Sequence, residues 1–119
     1  MSQRAKTGKT GEAIAAGFLK NKGYQLVARN YKKLGGEIDI IARNNEVIKL
    51  VEVKSKSSAA KFFPEQNLSK KKFENIVNTY KHFIFENPEY ESLDPHIDVI
   101  IVEVSNSPKV KHFENLIIE

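Results

Sequence analysis

Apolar residues recur at helical spacing near the N-terminus of the 119-residue chain. The residues on this apolar face are Ile14, Ala15, Phe18 and Leu19. Their spacing predicts a helix that begins at Thr10 or Gly11 and ends at Gly23, a residue suited to a left-handed C-terminal cap. Residues 1–8 precede the pattern and are predicted to form a mobile basic arm. Glu12 lies at the border of the apolar face, so it can point toward a sheet.

A second helical pattern follows Ser69, whose hydroxyl is a good N-cap. Its apolar stripe consists of Phe73, Ile76, Val77, Tyr80 and Ile84. Asn87 and Pro88 should end the helix. The first turn carries Lys70, Lys71 and Lys72, which is unfavourable against the positive end of a helix dipole. An anion docked at this turn would offset that cost, and three solvated lysines explain the pattern equally well.

Between the helices, three short segments alternate apolar and polar residues, as half-buried strands do. They are Tyr24–Arg29, Glu37–Arg43 and Val47–Lys54. The pair Asn44 and Asn45 predicts a two-residue hairpin loop, because Asn tolerates positive φ. That loop would place Arg43 opposite Glu46.

The same register would place Asp39 opposite Leu50 and diagonal to Glu52, with Cα atoms roughly 7–8 Å apart. Alternation assigns to one face of the sheet Glu37, Asp39, Ile41, Ile48, Leu50, Glu52 and Lys54. The opposite face would carry Ile38, Ile40, Ala42, Val47, Val51 and Val53. The predicted hairpin therefore places Asp39, Glu52 and Lys54 on the same face.

The C-terminal half completes the predicted architecture. Residues 55–60 lack periodicity and are predicted to form a flexible loop. The continuous apolar run Ile97–Val104 predicts a strand buried on both faces, and Lys109–Phe113 is a partner for it. The order of elements predicts one α/β domain spanning residues 1–119, with helices packed against a mixed sheet.

Composition narrows the chemistry and the compartment. The chain has no cysteine, which excludes disulfides, thiolate zinc sites and cysteine nucleophiles. Hard cations such as Mg²⁺ therefore become the default metals. The N-terminus lacks the apolar stretch of a signal peptide, and no apolar run approaches the roughly 20 residues that span a bilayer. We expect a cytoplasmic protein that makes no membrane contact.

Charge is distributed unevenly along the chain. Residues 1–33 carry eight Lys or Arg against one acid, and residues 54–82 carry seven Lys against two acids. Residues 34–53 carry two basic residues against four acids. An acidic segment between two basic ones favours a phosphate-bearing partner with a cation at the acidic centre, although Lys-rich faces also serve solubility alone.

Three residues of the predicted hairpin could carry chemistry. Asp39 and Glu52 would repel each other unless a cation neutralises them, and Lys54 lies beside Glu52 on the same face. Phosphodiester hydrolysis needs a cation, an activated water and a positively charged group. A salt bridge at a sheet margin is the alternative for Glu52 and Lys54.

Other polar residues are weaker candidates. Glu37 shares the active face as a supporting residue or a surface acid, and Asp98 is expected to be a structural hydrogen-bond acceptor. His82, His96 and His112 show no metal-ligand spacing. The glycines near Lys9 fall short of a phosphate-binding loop.

Two strand motifs resemble a known family. They are Gly36-Glu37-Ile38-Asp39-Ile40-Ile41-Ala42 and Val51-Glu52-Val53-Lys54, with further matches at Gly11-Glu12, Arg29-Asn30-Tyr31, His96-Ile97-Asp98-Val99 and His112-Phe113-Glu114-Asn115. The chain resembles the YraN-type family of uncharacterised bacterial proteins, which are related to archaeal Holliday-junction resolvases within the PD-(D/E)XK nuclease superfamily.

The resemblance implies a restriction-endonuclease-like fold and a Mg²⁺-dependent DNA endonuclease, with Mn²⁺ as a substitute metal, acting on branched or damaged DNA. It implies that Asp39 and Glu52 are metal ligands, that Lys54 is the catalytic lysine and that Glu12 is a helix-borne acid of the site. Lys56 stands where the family usually has Arg, and the usual Gly before Pro64 is missing.

Predicted DNA contacts are Lys56, Lys70, Lys71 and Lys72. Two other functions stay open. One is a non-catalytic nucleic-acid-binding module of the same fold, and the other is a protein-interaction domain that uses the acidic segment Glu86–Asp94. The sequence also leaves open whether the domain acts as a homodimer.

Overall fold

A computed structural model describes residues 2–60 and 62–117, apart from the side chains of Gln3 and Arg4. Its helices are α1 (Gln3–Asn21) and α2 (Lys70–Glu86), and its strands are β1 (Gln25–Lys33), β2 (Gly36–Arg43), β3 (Val47–Ser57), β4 (Asp94–Val104) and β5 (Lys109–Phe113). A 3-10 turn, Pro88–Tyr90, joins α2 to β4. Among these residues, no helix has both the length and the apolar character needed to cross a membrane.

The five strands form one sheet in the order β1-β2-β3-β4-β5. Only β3 and β4 are parallel, whereas the other neighbours are antiparallel. Ile97, Val99 and Ile100 of β4 are buried, as the prediction of a strand covered on both faces requires. The predicted α/β class is confirmed, since this mixed sheet flanked by helices is compatible with a restriction-endonuclease-like fold.

Helix α1 packs on one face of the sheet, where Ala15 and Leu19 meet Ile40 and Val51. A glycine allows the helix to approach closely. A Cβ atom added to Gly11 would lie 1.8 Å from the Ser55 Oγ of β3. The backbone of α1 therefore lies directly against β3, which brings the next residue in sequence, Glu12, to the sheet.

Helix α2 covers the opposite face, where Ile76 and Phe83 pack with Ile41 and Leu50. The predicted N-cap is confirmed, because the Ser69 Oγ accepts a hydrogen bond from the Lys72 backbone N–H at 3.1 Å. The predicted end of the helix is confirmed as well, since α2 ends at Glu86. The hydrogen bond from Lys72 to Ser69 therefore fixes the first turn of α2, where the helix begins.

The predicted start of α1 was wrong. The helix begins at Gln3, and the Ser2 Oγ accepts a hydrogen bond from the Ala5 backbone N–H at 3.1 Å. Ser is a favoured N-cap and most of the following residues are good helix formers, so polar residues extend the helix beyond its apolar face. Residues 3–8 belong to α1, and only their mobility stays a prediction. Met1 lies outside the described residues.

The β2–β3 hairpin was predicted correctly, but its register was not. Arg43 pairs with Ile48, and the Asn44 backbone N–H donates to the Val47 carbonyl oxygen at 3.0 Å. The Asn44 Oδ1 accepts hydrogen bonds from the N–H groups of Glu46 and Val47, both at 2.8 Å, which moves the two-residue loop to Asn45 and Glu46.

This register differs from the predicted one by two residues, so it keeps most side chains on their predicted faces. Continuing the ladder beyond Ile40 and Val51 puts Asp39 opposite Glu52 instead of diagonal to it. The two carboxylates are therefore closer neighbours than the sequence indicated.

Ile38 is an exception to the predicted alternation. It was expected beside Ile40, but it packs with Ile41 beneath α2. The strand pair changes conformation at this point, since Asn30 of β1, at the register position of Asp39, has a φ of 53°. A left-handed residue interrupts the regular alternation of a strand.

The predicted flexible loop at residues 55–60 was wrong for its first half. Strand β3 continues to Ser57, which pairs with Val104 of β4. Strand β4, the parallel partner of β3, pairs with residues 55–57 through backbone hydrogen bonds. The alternation of apolar and polar residues within β3 gives no indication of this pairing.

Candidate active site

Asp39 and Glu52 face each other at the end of the paired region of β2 and β3. The Asp39 Oδ2 accepts a hydrogen bond from the Val53 backbone N–H at 2.8 Å. The Glu52 side chain is 16% exposed. Both carboxylates thus lie largely out of water, and the backbone of β3 holds Asp39.

Glu12 and Glu37 complete an acidic cluster with Asp39 and Glu52. With its amide nitrogen turned toward the acids, Asn30 donates to the Glu12 Oε1 at 2.8 Å and to the Glu37 Oε1 at 3.2 Å. The same left-handed residue that disturbs β1 therefore bridges two of the four carboxylates. Asn30 was part of the family resemblance, but its spacing gave no indication of this contact.

Burial and mutual repulsion shift the ionisation of the acidic cluster. Burial, followed by the charge of Glu52, raises the pKa of Asp39 to about 7, against a lowering by the Val53 N–H. Burial also raises the pKa of Glu52 and that of Glu12. A cluster of this kind favours either a proton or a cation near its carboxylates.

Lys72 is the cation nearest to Glu52 on the described part of the chain. Its Nζ lies 3.4 Å from the Glu52 Oε2, a buried oxygen with no hydrogen-bond partner among the described residues. Lys70 and Lys71 are exposed on the same helical turn. The structure thus separates the three lysines into one that contacts the acidic cluster and two that face solvent.

Lys54 lies beside the acidic cluster but bonds to a loop. Its Nζ donates to the carbonyl oxygens of Glu65 and Asn67, the latter at 3.0 Å. Its charge also opposes the rise in the pKa of Glu52, after burial and Lys72. The structure places all four predicted site residues together, with Lys54 tied to the segment before α2.

Lys56 does not join this site. It is 5% exposed, and its Nζ forms an ion pair with Glu103 at 2.9 Å. The same atom lies 4.9 Å from the ring centroid of Phe63. Because its charge is already satisfied below the surface, the structure counts against Lys56 as a direct DNA contact.

A second cluster of charged side chains was missed by sequence reasoning. The fully buried Asp98 accepts hydrogen bonds from the His112 Nε2 at 2.7 Å and the Asn115 N–H at 2.9 Å. The Lys49 Nζ lies 3.2 Å from both Asp98 and Glu114. We call Lys49, Asp98, His112 and Glu114 the Asp98 network, and it confirms Asp98 as a structural acceptor.

The Asp98 network has a charge balance that the acidic cluster lacks. Burial raises the pKa of Asp98, but hydrogen bonds from His112 and Asn115 and the charge of Lys49 bring the pKa below its usual value. Ligand atoms of Asp98, His112 and Glu114 lie within 4.8 Å of one another, a spacing compatible with a metal. The Lys49 ammonium already serves as their cation. An acidic residue within an apolar strand indicates a buried carboxylate that needs hydrogen bonds or a cation. The register of the sheet is what identifies the residues that provide them.

The chain is similar to many proteins of one family. Residues 11–102 match the model of a family described as "Uncharacterised protein family UPF0102". A UPF0102 protein of Lachnoclostridium phytofermentans is 41% identical over 95 residues, which cover 80% of each chain. Another from Carboxydothermus hydrogenoformans is 34% identical over 115 residues, covering 96% of this chain and 97% of the relative. The predicted family membership is confirmed: the chain belongs to the UPF0102 family.

Proposed function

We propose that this protein is a Mg²⁺-dependent DNA endonuclease, with Mn²⁺ as an alternative metal, and that its site is formed by Glu12, Asp39, Glu52 and Lys54. The observation that carries the proposal is the arrangement of Asp39 and Glu52. Two like charges are held together away from water, and the pKa of Asp39 is raised to about 7. A cation between them would relieve this cost.

The residues fit a hard divalent cation. Carboxylate oxygens are the ligands that Mg²⁺ prefers, and the Glu52 Oε2 has no hydrogen bond to any described residue. When bound, the metal supplies positive charge to a phosphoryl oxygen and makes a nearby water a better nucleophile. Lys72 at 3.4 Å would have to yield part of its contact with Glu52.

The chain's own residues then have distinct roles. Asp39 is oriented by the Val53 N–H, so one of its oxygens is fixed in direction. Lys54 can orient the attacking water and offset negative charge in the transition state once it leaves the loop carbonyl oxygens. Glu12, held by Asn30, adds negative charge from the helix side.

DNA is the proposed substrate because exposed lysines flank the acidic cluster. Lys70 and Lys71 are exposed on the first turn of α2, and Lys6 and Lys9 are exposed on α1. If these lysines contact duplex phosphates, the association constant should fall as the salt concentration rises. A plot of log association constant against log salt concentration should have a slope of about −0.9 per contact. Branched or damaged DNA is part of the proposal through the family resemblance alone.

A non-catalytic DNA-binding module of the same fold is the second candidate. One observation favours it: the Lys54 ammonium is engaged by two backbone carbonyl oxygens and so faces a loop. If that engagement persisted on DNA, Lys54 would hold the loop and would not act on a water.

One experiment distinguishes the two candidates. Linear, nicked, flapped, single-stranded and four-way DNA are incubated with Mg²⁺ or Mn²⁺ and with wild type, Lys54→Ala or Lys81→Ala. We expect Lys54→Ala to cleave about 100-fold more slowly or worse, as for removal of one electrostatic stabiliser. Lys81→Ala, which also removes one positive charge but from an exposed residue outside the proposed DNA contacts, should keep most of the cleavage rate.

Thermal melts accompany the assay, so that loss of cleavage is not confused with loss of folding. Binding without cleavage of every DNA form would support the second candidate. Equal cleavage by wild type and a folded Lys54→Ala variant would contradict the assigned role of Lys54.

A further inference from the structure

Two aromatic side chains are exposed on the segment between β3 and α2. Phe62 is 58% exposed and Phe63 is 80% exposed. Phe62 lines a surface depression with Lys54 and Ser55, and Phe63 lines another with Lys109 and Lys111 of β5. Large apolar side chains exposed at a rim of polar residues mark a surface that another molecule covers.

The aromatic pair is linked to the proposed catalytic lysine. Pro64 follows Phe63 and restricts the backbone, and Lys54 then bonds to the carbonyl oxygens of Glu65 and Asn67. The loop that carries the two rings is thus anchored on the candidate active site. A ligand on the rings would lie next to Lys54.

The surroundings of the pair are basic. The Lys56 Nζ lies 4.9 Å from the Phe63 ring centroid, within the range of a cation–π contact. Lys109 and Lys111 are exposed on β5, whereas Lys56 itself is neutralised by Glu103. The surface therefore combines exposed rings with two solvent-facing positive charges.

We propose that Phe62 and Phe63 stack the unpaired bases of a single-stranded segment while Lys109 and Lys111 contact its phosphates. Every base has a π-face, so stacking on aromatic rings binds single strands with little regard to sequence, and a paired base cannot offer that face. This inference rests on the proposed function and specifies it: the preferred substrate is DNA with unpaired nucleotides beside the cleaved bond.

Binding is measured without divalent metal, so that cleavage plays no part. The probes are a labelled oligothymidine and a duplex of equal length, and the variants are Phe62→Ala and Phe63→Ala. We expect each variant to bind the single strand about tenfold more weakly, the scale for loss of one stacked base. Affinity for the duplex should stay unchanged.

Phe85→Ala is the matched control. Phe85 is 86% exposed at the far end of α2, so its replacement removes the same ring from a surface away from the loop. Lys111→Ala should flatten the salt dependence of single-strand binding by about 0.7 in log-log slope. An oligonucleotide carrying 2-aminopurine should change its fluorescence with wild type and not with the Phe62→Ala, Phe63→Ala double variant.

Three outcomes would overturn the inference. They are unchanged single-strand affinity in both variants, an equal loss for the duplex, and self-association of wild type that the variants abolish in sedimentation, which would assign the rings to a protein interface. Failure of the proposed function looks different. Stacking without cleavage of any DNA form would keep the single-strand binding site but reject the nuclease and the substrate preference with it, whereas cleavage with unaffected variants would keep the nuclease and reject the stacking site.

Discussion

The acidic cluster and the Asp98 network each contain a buried aspartate on the same sheet, and the pKa values of the two aspartates shift in opposite directions. The pKa of Asp39 is raised to about 7 by burial and by Glu52, while the pKa of Asp98 is lowered despite its burial. Asp98 has Lys49 and His112 as partners. Among the described residues, Asp39 accepts a hydrogen bond from one backbone N–H, that of Val53.

The difference separates a charge cluster whose members neutralise one another from a cluster whose members repel one another. A buried ion pair with its hydrogen bonds satisfied adds little net stability, but it is costly to break. A buried cluster of like charges opposes folding, and it is retained where a ligand supplies the opposite charge. The two regions should therefore respond in opposite ways to substitution, metal and pH.

The largest effect should follow removal of Asp98. Asp98→Ala leaves Lys49, which is 2% exposed, without its buried partner, and we expect a loss of about 3–5 kcal/mol in the free energy of unfolding. Asp39→Ala should lose far less, because it relieves repulsion. Urea unfolding of the two variants measures both values, and a similar loss in each would end the distinction between the regions.

Magnesium should act on the acidic cluster alone. If Mg²⁺ binds the proposed site in the folded state only, a concentration near 100 times the dissociation constant should stabilise the wild type by about 2.7 kcal/mol. Asp39→Ala should show a much smaller shift of the melting temperature. Glu114→Ala, a variant of the Asp98 network, is the control and should keep the full shift.

The pH dependence should differ in sign between the regions. Folded Asp39 keeps its proton up to pH about 7, whereas the unfolded chain releases it near 3.8, so stability should fall as pH rises between these values. The slope is at most about 1.4 kcal/mol per pH unit. In Asp39→Asn, the free energy of unfolding should depend less on pH over this range. Urea unfolding at several pH values measures that dependence.

Asp98 supplies the opposite case. Its pKa is lowered in the folded state, so its contribution is present above pH 3.8 and is lost as pH falls through the lower folded value. A wild-type profile that rises from pH 4 to 7 would contradict the shift assigned to Asp39.

The smallest effect should come from Lys72. Its side chain is 38% exposed, so Lys72→Ala should cost only about 0.5 kcal/mol of stability. The magnesium shift should persist or increase, because the lysine competes with the ion for Glu52. Lys71→Ala should leave both quantities unchanged, and a Lys72→Ala variant that no longer responds to magnesium would mean that the lysine helps to form the metal site.

The local sequence pattern was enough to predict those helices and strands that are determined by residues close together in the chain. Ser69 capped α2 as expected, and the fold class followed from the order of helices and strands. The hairpin register failed because Asn44 uses its side chain to build the turn, which moves the loop by one residue. Sequence pattern reports which faces are apolar, and a register shift of two leaves that pattern unchanged.

The candidate site was predictable to the extent that its residues share one hairpin. Asp39, Glu52 and Lys54 were placed together from alternation, whereas Glu12 required the family resemblance. Burial of Lys56 depends on Glu103 of β4, and the Asp98 network depends on β3, β4 and β5 together. Contacts between distant segments of the chain carry no local signature.

The parallel pairing of β3 with β4 also affects the order in which the strands pair during folding. The ladder joins Val47 to Asp94, so α2 and both its connections must be spanned before it can form, whereas a two-residue turn brings β2 and β3 together. Closing a long loop costs more entropy and is slower than closing a hairpin. The folding chain should therefore create its carboxylate pair before β4 joins the sheet, so that repulsion between Asp39 and Glu52 slows folding from its earliest steps.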